Sequence, residues 1–377
     1  MKRFMSQEVT MSAQLHDELI RLANEFGSDE AYARAGGGNA SVKHGGVLYI
    51  KPSGTTLATL RDNDLVPLRI PVLLEALVSD EEVDGDPVMA AATAARVGDP
   101  GGRRPSVEIL FHALIPDSLV LHLHPLVANA LTCHEDGRAL AERLLGNEAI
   151  WVDYTDPGVP LAKEIHRERQ AFEARTGHPA PAITLMGNHG IIVSGNNRDE
   201  VAQRITWLSA TIQAAIDETP APVVPQRADD GASVAEAFRV AAGRDAIAWS
   251  NDDVVRSASS LSAAAVSRGP LIPDQIVYAG SFPVILEGID DVEAAVASYE
   301  AEHGRQPITA VAPGQCVASV GDTDKAATIA LGTFLDALVV GRDADRLGGS
   351  RVLNERERHF IETWEAESYR QQVSAGS

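Results

Sequence analysis

The sequence predicts an α/β protein of two domains, and three observations predict it. Short apolar runs of strand character alternate with amphipathic helical segments through the first half of the chain. At 377 residues the chain exceeds what one ordinary core sustains. Glu218-Thr219-Pro220-Ala221-Pro222-Val223-Val224-Pro225 crowds its prolines into a stiff, extended segment that carries no core across it. The expected division is residues 1–225 and 226–377.

The elements follow in order. Leu15 to Phe26 places Leu15, Leu19, Ile20, Leu22 and Ala23 on one helical stripe. The glycine-rich run from Ala35 to Lys43 reads as a turn feeding a strand, and Leu48 to Gly54 as a short strand closed by a turn. Glu82 to Gly102 reads largely as irregular. Val107 to Leu114 is helical and leads through Pro116-Asp117 into an apolar strand that carries His122. Helices are expected over Asn129 to Leu145, Lys163 to Arg175 and Asp199 to Ile216. Beyond the prolines, Ala235 to Ala248 reads as helix, Gln275 to Tyr278 and Pro283 to Leu286 as strands, and Lys325 to Val340 as a long apolar helix. Ala310 to Ala312 ends in a Pro-Gly turn. In the charged tail from Arg356 to Gln372, Phe360, Ile361 and Trp364 share one helical face.

Composition narrows the function. A formal charge of −21 argues against nucleic acid or an anionic membrane as partner, while leaving room for a small anionic substrate in a locally positive pocket. No stretch approaches the ~18 apolar residues of a membrane span, and Met1 to Ser12 lacks the apolar block of a secretory signal. Two distant cysteines, Cys133 and Cys316, suit a reducing cytoplasm.

The chemistry-bearing residues are histidines. Side chains alternate along a strand, so His122 and His124 in His-Leu-His face the same way and can grip one divalent ion. A third imidazole, His189, interrupts a second strand-like run in Gly187-Asn188-His189-Gly190. Three neutral nitrogens with one open position describe a catalytic rather than a structural metal, zinc or a similar ion. Ser106 is placed to cap the helix that follows it, and Glu108 suits its positive end. A hydroxyl at such a helix start also suits a phosphate oxygen, and a carboxylate beside a metal-bound carbonyl suits removal of a carbon-bound proton. His112, one turn after Glu108, reads as a packing residue.

Gly37-Gly38-Asn39-Ala40-Ser41-Val42, Ile50-Lys51-Pro52-Ser53-Gly54, Pro105-Ser106-Val107-Glu108, His122-Leu123-His124-Pro125 and Asn188-His189-Gly190 stand in the order found in class II aldolases. Over roughly residues 10 to 215 the chain resembles that adducin-like family, which includes fuculose-phosphate and rhamnulose-phosphate aldolases and ribulose-phosphate 4-epimerase. The resemblance implies an αβα sandwich with a central, mainly antiparallel sheet, followed by a smaller C-terminal α/β domain. It implies His122, His124 and His189 as metal ligands, with Zn2+ foremost, Glu108 as acid/base, and Asn39, Ser53, Gly54 and Ser106 as the phosphate pocket. Val107 stands where smaller family members often carry a second serine. Lys51 could replace the lost donor, although it reads first as an exposed strand-end lysine. The implied reaction is cleavage of a ketose, expected as a 1-phosphate, into dihydroxyacetone phosphate and an aldehyde in a cytoplasmic oligomer, a tetramer by resemblance. A second acid is commonly a tyrosine from a neighbouring subunit, and Tyr154, Tyr278 and Tyr299 stay open for it. Decarboxylation or 4-epimerisation on the same site, or a non-catalytic interaction module as in adducin, are the alternatives.

A closer likeness is to the aldolase portion of bifunctional rhamnulose-phosphate aldolase/alcohol dehydrogenases. Gly36 to Asn39, Arg104 to Glu108, Pro273 to Val277 and Phe360 to Glu367 carry it. No dehydrogenase is expected after Ser377, and Gly36 to Gly38 lacks the Gly-x-Gly-x-x-Gly order of a dinucleotide loop.

Overall fold

The computed structural model describes residues 2–79, 85–98, 101–221, 223–224, 231–261 and 268–364, with backbone alone for 2–10 and 258–261. Two compact units emerge, Met1–Ala128 with Arg138–Thr211, and Asn129–Gly137 with Ile212–Ser377. Among the described residues no helix is long and apolar enough to cross a membrane. Parts of the segments around 82, the proline-dense junction and the tail beyond Trp364 lie outside the described residues.

The first unit is built on helix α1 (Lys2–Gly27), strands β1 (Asn39–His44), β2 (Val47–Ile50) and β3 (Val66–Arg69), and helices α2 (Ile70–Val78), α3 (Pro87–Ala95) and α4 (Ile109–Leu114). Strand β4 (Leu119–Leu123), helix α5 (Leu126–Thr132), which enters the second unit at Asn129, helix α6 (Gly137–Leu145), strand β5 (Ala149–Val152), helix α7 (Val159–Thr176), strands β6 (Ile183–Met186) and β7 (Gly190–Gly195) and helix α8 (Arg198–Asp217), which enters the second unit at Ile212, follow. The seven strands form one sheet in the order β3-β2-β1-β4-β7-β6-β5. Every neighbouring pair is antiparallel except β5 with β6. The sheet is mainly antiparallel, as the resemblance implied.

On one face α2, α3, α4 and α7 close an apolar cluster against Leu48, Ile50, Val66, Leu68, Val120 and Ile192. Register places Ser41 opposite Ile50 and Val120, and Lys43 opposite Leu48. The β1 side chains on this face, Asn39, Ser41 and Lys43, are therefore polar in the middle of an apolar layer, and all three are buried. They are satisfied by α4 and the residues flanking its two ends. Asn39 bonds Glu108, Ser41 Oγ meets His112 Nδ1 at 2.7 Å, and the Lys43 amine donates to the carbonyls of His112 (2.8 Å) and Ile115. The match is metric. Alternate strand residues advance about 6.8 Å, and four helical residues rise about 6 Å.

The second unit holds α9 (Gly231–Ala241), β8 (Ala246–Ser250), α10 (Asp253–Leu261), α11 (Pro273–Ala279), β9 (Val284–Ile285), α12 (Val292–His303), β10 (Thr309–Ala312), β11 (Cys316–Gly321), α13 (Asp324–Leu347) and α14 (Glu355–Thr363). Its four strands run in the order β8-β11-β10-β9. Helices α9 and α12 share a core with one face, while Val255, Ala279, Phe334 and Leu338 from α10, α11 and α13 cover Val311 and Val317. The segment Asn129–Gly137 joins this unit through backbone pairing, with Arg351 N–H donating to Cys133 O at 2.7 Å and Glu135 N–H to Gly349 O at 3.2 Å.

Several sequence expectations are corrected. Gln275 to Tyr278 is helix, not strand: every residue of α11 is buried, so it lacks the polar face that would reveal a helical period. The helix expected to Ala248 stops at Ala241, with Gly243 at φ +61°, and β8 follows. The single helix expected over Asn129 to Leu145 is broken at 133–136, where the chain turns to pair with 349–351. Pro87–Ala95 is a helix inside the segment read as irregular, started by Asp86, whose carboxylate accepts from Val88 N–H at 2.9 Å.

Burial holds the Lys43 amine down to about 7, with Asp117 opposing and Arg169 assisting. An unfolded lysine titrates near 10.4. Between these values the unfolded chain binds more protons, so this group adds stability as pH rises from 7 to 10 and withdraws it as pH falls. Urea unfolding across that range is expected to show the wild type gaining on Lys43→Met by up to about 1.4 kcal/mol per pH unit. Parallel stability curves would contradict this.

Candidate functional site

The site grows from the centre of the sheet. His122 lies on β4, its side chain on the α4 face, opposite Asn39 of β1 and Ile192 of β7. Its Nδ1–H donates to Ile191 O at 2.8 Å, which turns Nε2 inward toward His124 and Glu108. His124 follows just past the strand end, with its N–H donating to Tyr32 O at 3.1 Å. His189 is carried by the tight β6–β7 turn. There Asn188 takes φ +50°, a left-handed conformation asparagine tolerates, and His189 N–H donates to Met186 O at 3.2 Å.

Two glycines let the backbone come this close. A Cβ on Gly190 would stand 2.5 Å from Leu123 O and 2.6 Å from His124 Cδ2. One on Gly38, at φ +72°, would stand 2.7 Å from His122 O. Gly36 to Gly38 opens onto strand β1 and not onto a helix, so it presents no helix start to a pyrophosphate.

The three rings converge. His122 and His124 Nε2 atoms lie 3.0 Å apart, and the ligand atoms of the three histidines all lie within 4.8 Å of one another. Glu108 Oε1 is 3.4 Å from both His122 Nε2 and His189 Nε2. Asn39 Nδ2 donates to the other carboxylate oxygen, Oε2. His122 and His189 are buried, and His124 is the most exposed of the three.

The electrostatics fit a cation. Burial pushes the His189 imidazole down to about 4, with the Glu108 carboxylate opposing and His122 assisting, so the ring is neutral and ligand-competent at neutral pH. Burial alone would raise the Glu108 carboxyl, but the facing His122 and His189 rings outweigh it and hold the group below the usual carboxylate range. Three imidazole nitrogens and a buried carboxylate converging without a balancing cation would be costly. These residues fit a divalent ion.

The remaining candidates fall on adjoining turns. Ser106 Oγ accepts from Glu108 N–H at 3.2 Å, fixing the turn that presents the carboxylate, and α4 begins only at Ile109. Ser53 N–H donates to Arg104 O at 2.9 Å and Pro52 bridges Pro105, so the Ser53-Gly54 turn is laid against the turn carrying Ser106. Lys51 departs from expectation. It is 1% exposed, and its amine donates to Thr55 O at 2.6 Å and Gly36 O at 3.5 Å, tying the turn to the glycine-rich loop. His112 is fully buried, and burial holds it well below its ordinary value.

Among the tyrosines, Tyr154 follows β5, its backbone N 3.1 Å from where a Gly187 Cβ would sit. The Tyr299 hydroxyl donates to Phe282 O at 3.1 Å within the second unit, and Tyr278 is buried on α11.

Against known proteins, the chain is 24% identical over 406 residues to an uncharacterized oxidoreductase, YuxG of Bacillus subtilis strain 168, an alignment covering 94% of this chain and 58% of that protein. The chain thus spans little more than half the length of that relative. The N-terminal class II aldolase domain of a Thermoplasma acidophilum protein matches at 26% identity and a TM-score of 0.45, covering 53% of this chain and 92% of that one. An L-fuculose-1-phosphate aldolase of Thermus thermophilus matches at 18% identity and a TM-score of 0.35, covering 55% of this chain and 94% of that one. The model of the class II aldolase and adducin N-terminal domain matches residues 17–216, more than half the chain and the whole of the histidine–carboxylate cluster. The chain belongs to the class II aldolase and adducin family.

Proposed function

We propose that the protein is a metal-dependent lyase that cleaves a ketose 1-phosphate into dihydroxyacetone phosphate and an aldehyde. The observation that carries the reading is Glu108, a buried carboxylate 3.4 Å from two of three converging imidazole nitrogens. His122, His124 and His189 would hold the divalent ion, Zn2+ first among candidates given an all-nitrogen set. Bound there, the ion supplies Lewis acidity toward the charge that develops on the substrate's oxygens.

The chain's own residues do the rest. Asn39 fixes one Glu108 oxygen, leaving Oε1 to carry the proton. As the hydroxyl proton beside the breaking carbon–carbon bond passes to Glu108, the aldehyde carbonyl forms and the bonding pair flows into the ketone fragment as an enediolate; Glu108 then returns that proton to its carbon. Ser53, Gly54, Ser106 and Asn39 would receive the phosphate. Lys51 brings a buried amine to the Ser53-Gly54 turn, which would make up for the absent second serine at Val107. The resemblance of Pro273 to Val277 and Phe360 to Glu367 to segments of bifunctional rhamnulose-phosphate enzymes would make rhamnulose 1-phosphate the first substrate to assay. A tetramer in the cytoplasm, with a tyrosine of a neighbouring subunit as second acid, completes the reading. The oxidoreductase name of YuxG belongs to a longer protein, and hydride transfer is not part of the activity proposed for this chain.

Two measurements test it. The purified protein should hold one tightly bound divalent ion per chain, and His122→Ala or His124→Ala should largely abolish its retention, because three ligands become two. Full tight occupancy in a variant lacking all three histidines would refute the centre. The second measurement is exchange of the carbon-bound proton of dihydroxyacetone phosphate with deuterated solvent. Glu108→Gln, isosteric but unable to accept a proton, should slow it by about a hundredfold or more with an unchanged melting temperature. Wild-type exchange in that folded variant would remove Glu108 from the chemistry.

A further inference from the structure

A second pair of imidazoles meets in the first unit, apart from the residues assigned above. His16 on α1 and His44 at the end of β1 bring their Nε2 atoms to 2.9 Å. The outer nitrogen of His16, Nδ1, is bonded to the Asp62 carboxylate. An ionised carboxylate only accepts, so in the neutral ring Nδ1 keeps the proton and Nε2 is left as a lone pair aimed at His44. A carboxylate behind an imidazole is the arrangement that orients metal-binding histidines and raises their basicity.

The surroundings hold both rings in place. Tyr49 stacks on His44 at 4.6 Å between centroids and meets His16 edge-on at 4.7 Å. Tyr49 sits on β2, paired with Val42 of β1, so helix, hairpin and aromatic wall belong to one paired framework. The His16 side chain is 15% exposed, so the pair borders solvent. The spacing also suits a shared ion. Two imidazoles bonded to one ion at about 2.0–2.1 Å stand about 2.9 Å apart for a right angle at the metal and about 3.4 Å for a tetrahedral one. The His122–His124 pair, read above as metal ligands, shows the same separation, 3.0 Å.

We propose that His16 and His44 form a second, weaker site for a divalent transition ion of the zinc, nickel or copper type. Two imidazoles bind it, water completes its coordination, and Asp62 acts through His16. An ion there ties α1 to the β1–β2 hairpin, whose β1 strand begins with Asn39. This inference stands independently of the proposed activity, since none of its residues belongs to the histidine–Glu108 centre.

The test uses the full chain, loaded with Zn2+, dialysed to its tight equivalent and titrated calorimetrically with further Zn2+ near neutral pH. A second equivalent is expected in the wild type and is lost in His16→Asn and in His44→Gln. In Asp62→Ala, which removes an exposed carboxylate and spares the fold, it should bind about ten- to a hundredfold more weakly. All three variants should keep the tight equivalent. Bound Cu2+ in this second site should show two nitrogen ligands by electron paramagnetic resonance, and Asp62→Ala with this signal keeps the test valid should a histidine variant misfold. No second equivalent in the wild type would mean an imidazole–imidazole hydrogen bond only. A second equivalent that survives both histidine substitutions would place the ion elsewhere; either result overturns the proposal.

Discussion

Glu108 is a carboxylate taken out of water between an asparagine and two imidazole rings. A lone buried carboxylate is costly enough that it normally neutralises instead. It stays ionised here only because its surroundings are arranged around it. Asn39 saturates one oxygen, Ser106 fixes the turn, and His122 and His189 face the other oxygen. The imidazoles are pressed together in turn: His122 donates outward to Ile191 O, and its inner nitrogen stands 3.0 Å from that of His124. A divalent cation is the partner that satisfies all of these groups at once.

The polar row along β1 gives this arrangement its rigidity. Asn39, Ser41 and Lys43 meet Glu108, His112 and the carbonyl end of α4 in step, because strand and helix advance by nearly equal lengths over those intervals. A slip of one residue in β1 would turn the three side chains to the opposite face and strand Glu108 without its asparagine. The sheet order fixes the neighbours of that row, with β4 and its histidine between β1 and β7. The glycines at 38 and 190 then allow the approach that brings the turn of His189 against His122.

Sequence logic reached the centre of this site because its signals are local. His-Leu-His on an apolar strand, a histidine between glycines, and a carboxylate at a helix start each follow from short-range periodicity and turn chemistry. Their convergence needed the family resemblance, since nothing local relates residue 39 to 108 or 189. What stayed illegible was the buried polar row. Ser41 and Lys43 alternate with Ala40 and Val42 and so read as the wet side of a half-buried strand. Lys51 similarly reads as a strand-end cation, yet its amine is capped by Thr55 and Gly36 carbonyls in the interior. In the second unit α11 was misread because a segment buried all round has no periodicity to distinguish helix from strand. The membership of Asn129–Gly137 in that unit rests on pairing with residues more than two hundred positions later.

The atoms around the ion define the centre. X-ray absorption at the zinc edge, on protein loaded with its single tight equivalent, reads them directly. Three imidazole nitrogens at about 2.0–2.1 Å, with oxygen completing the shell, are predicted. Sulfur at about 2.3 Å, or fewer than three imidazoles, would contradict the centre.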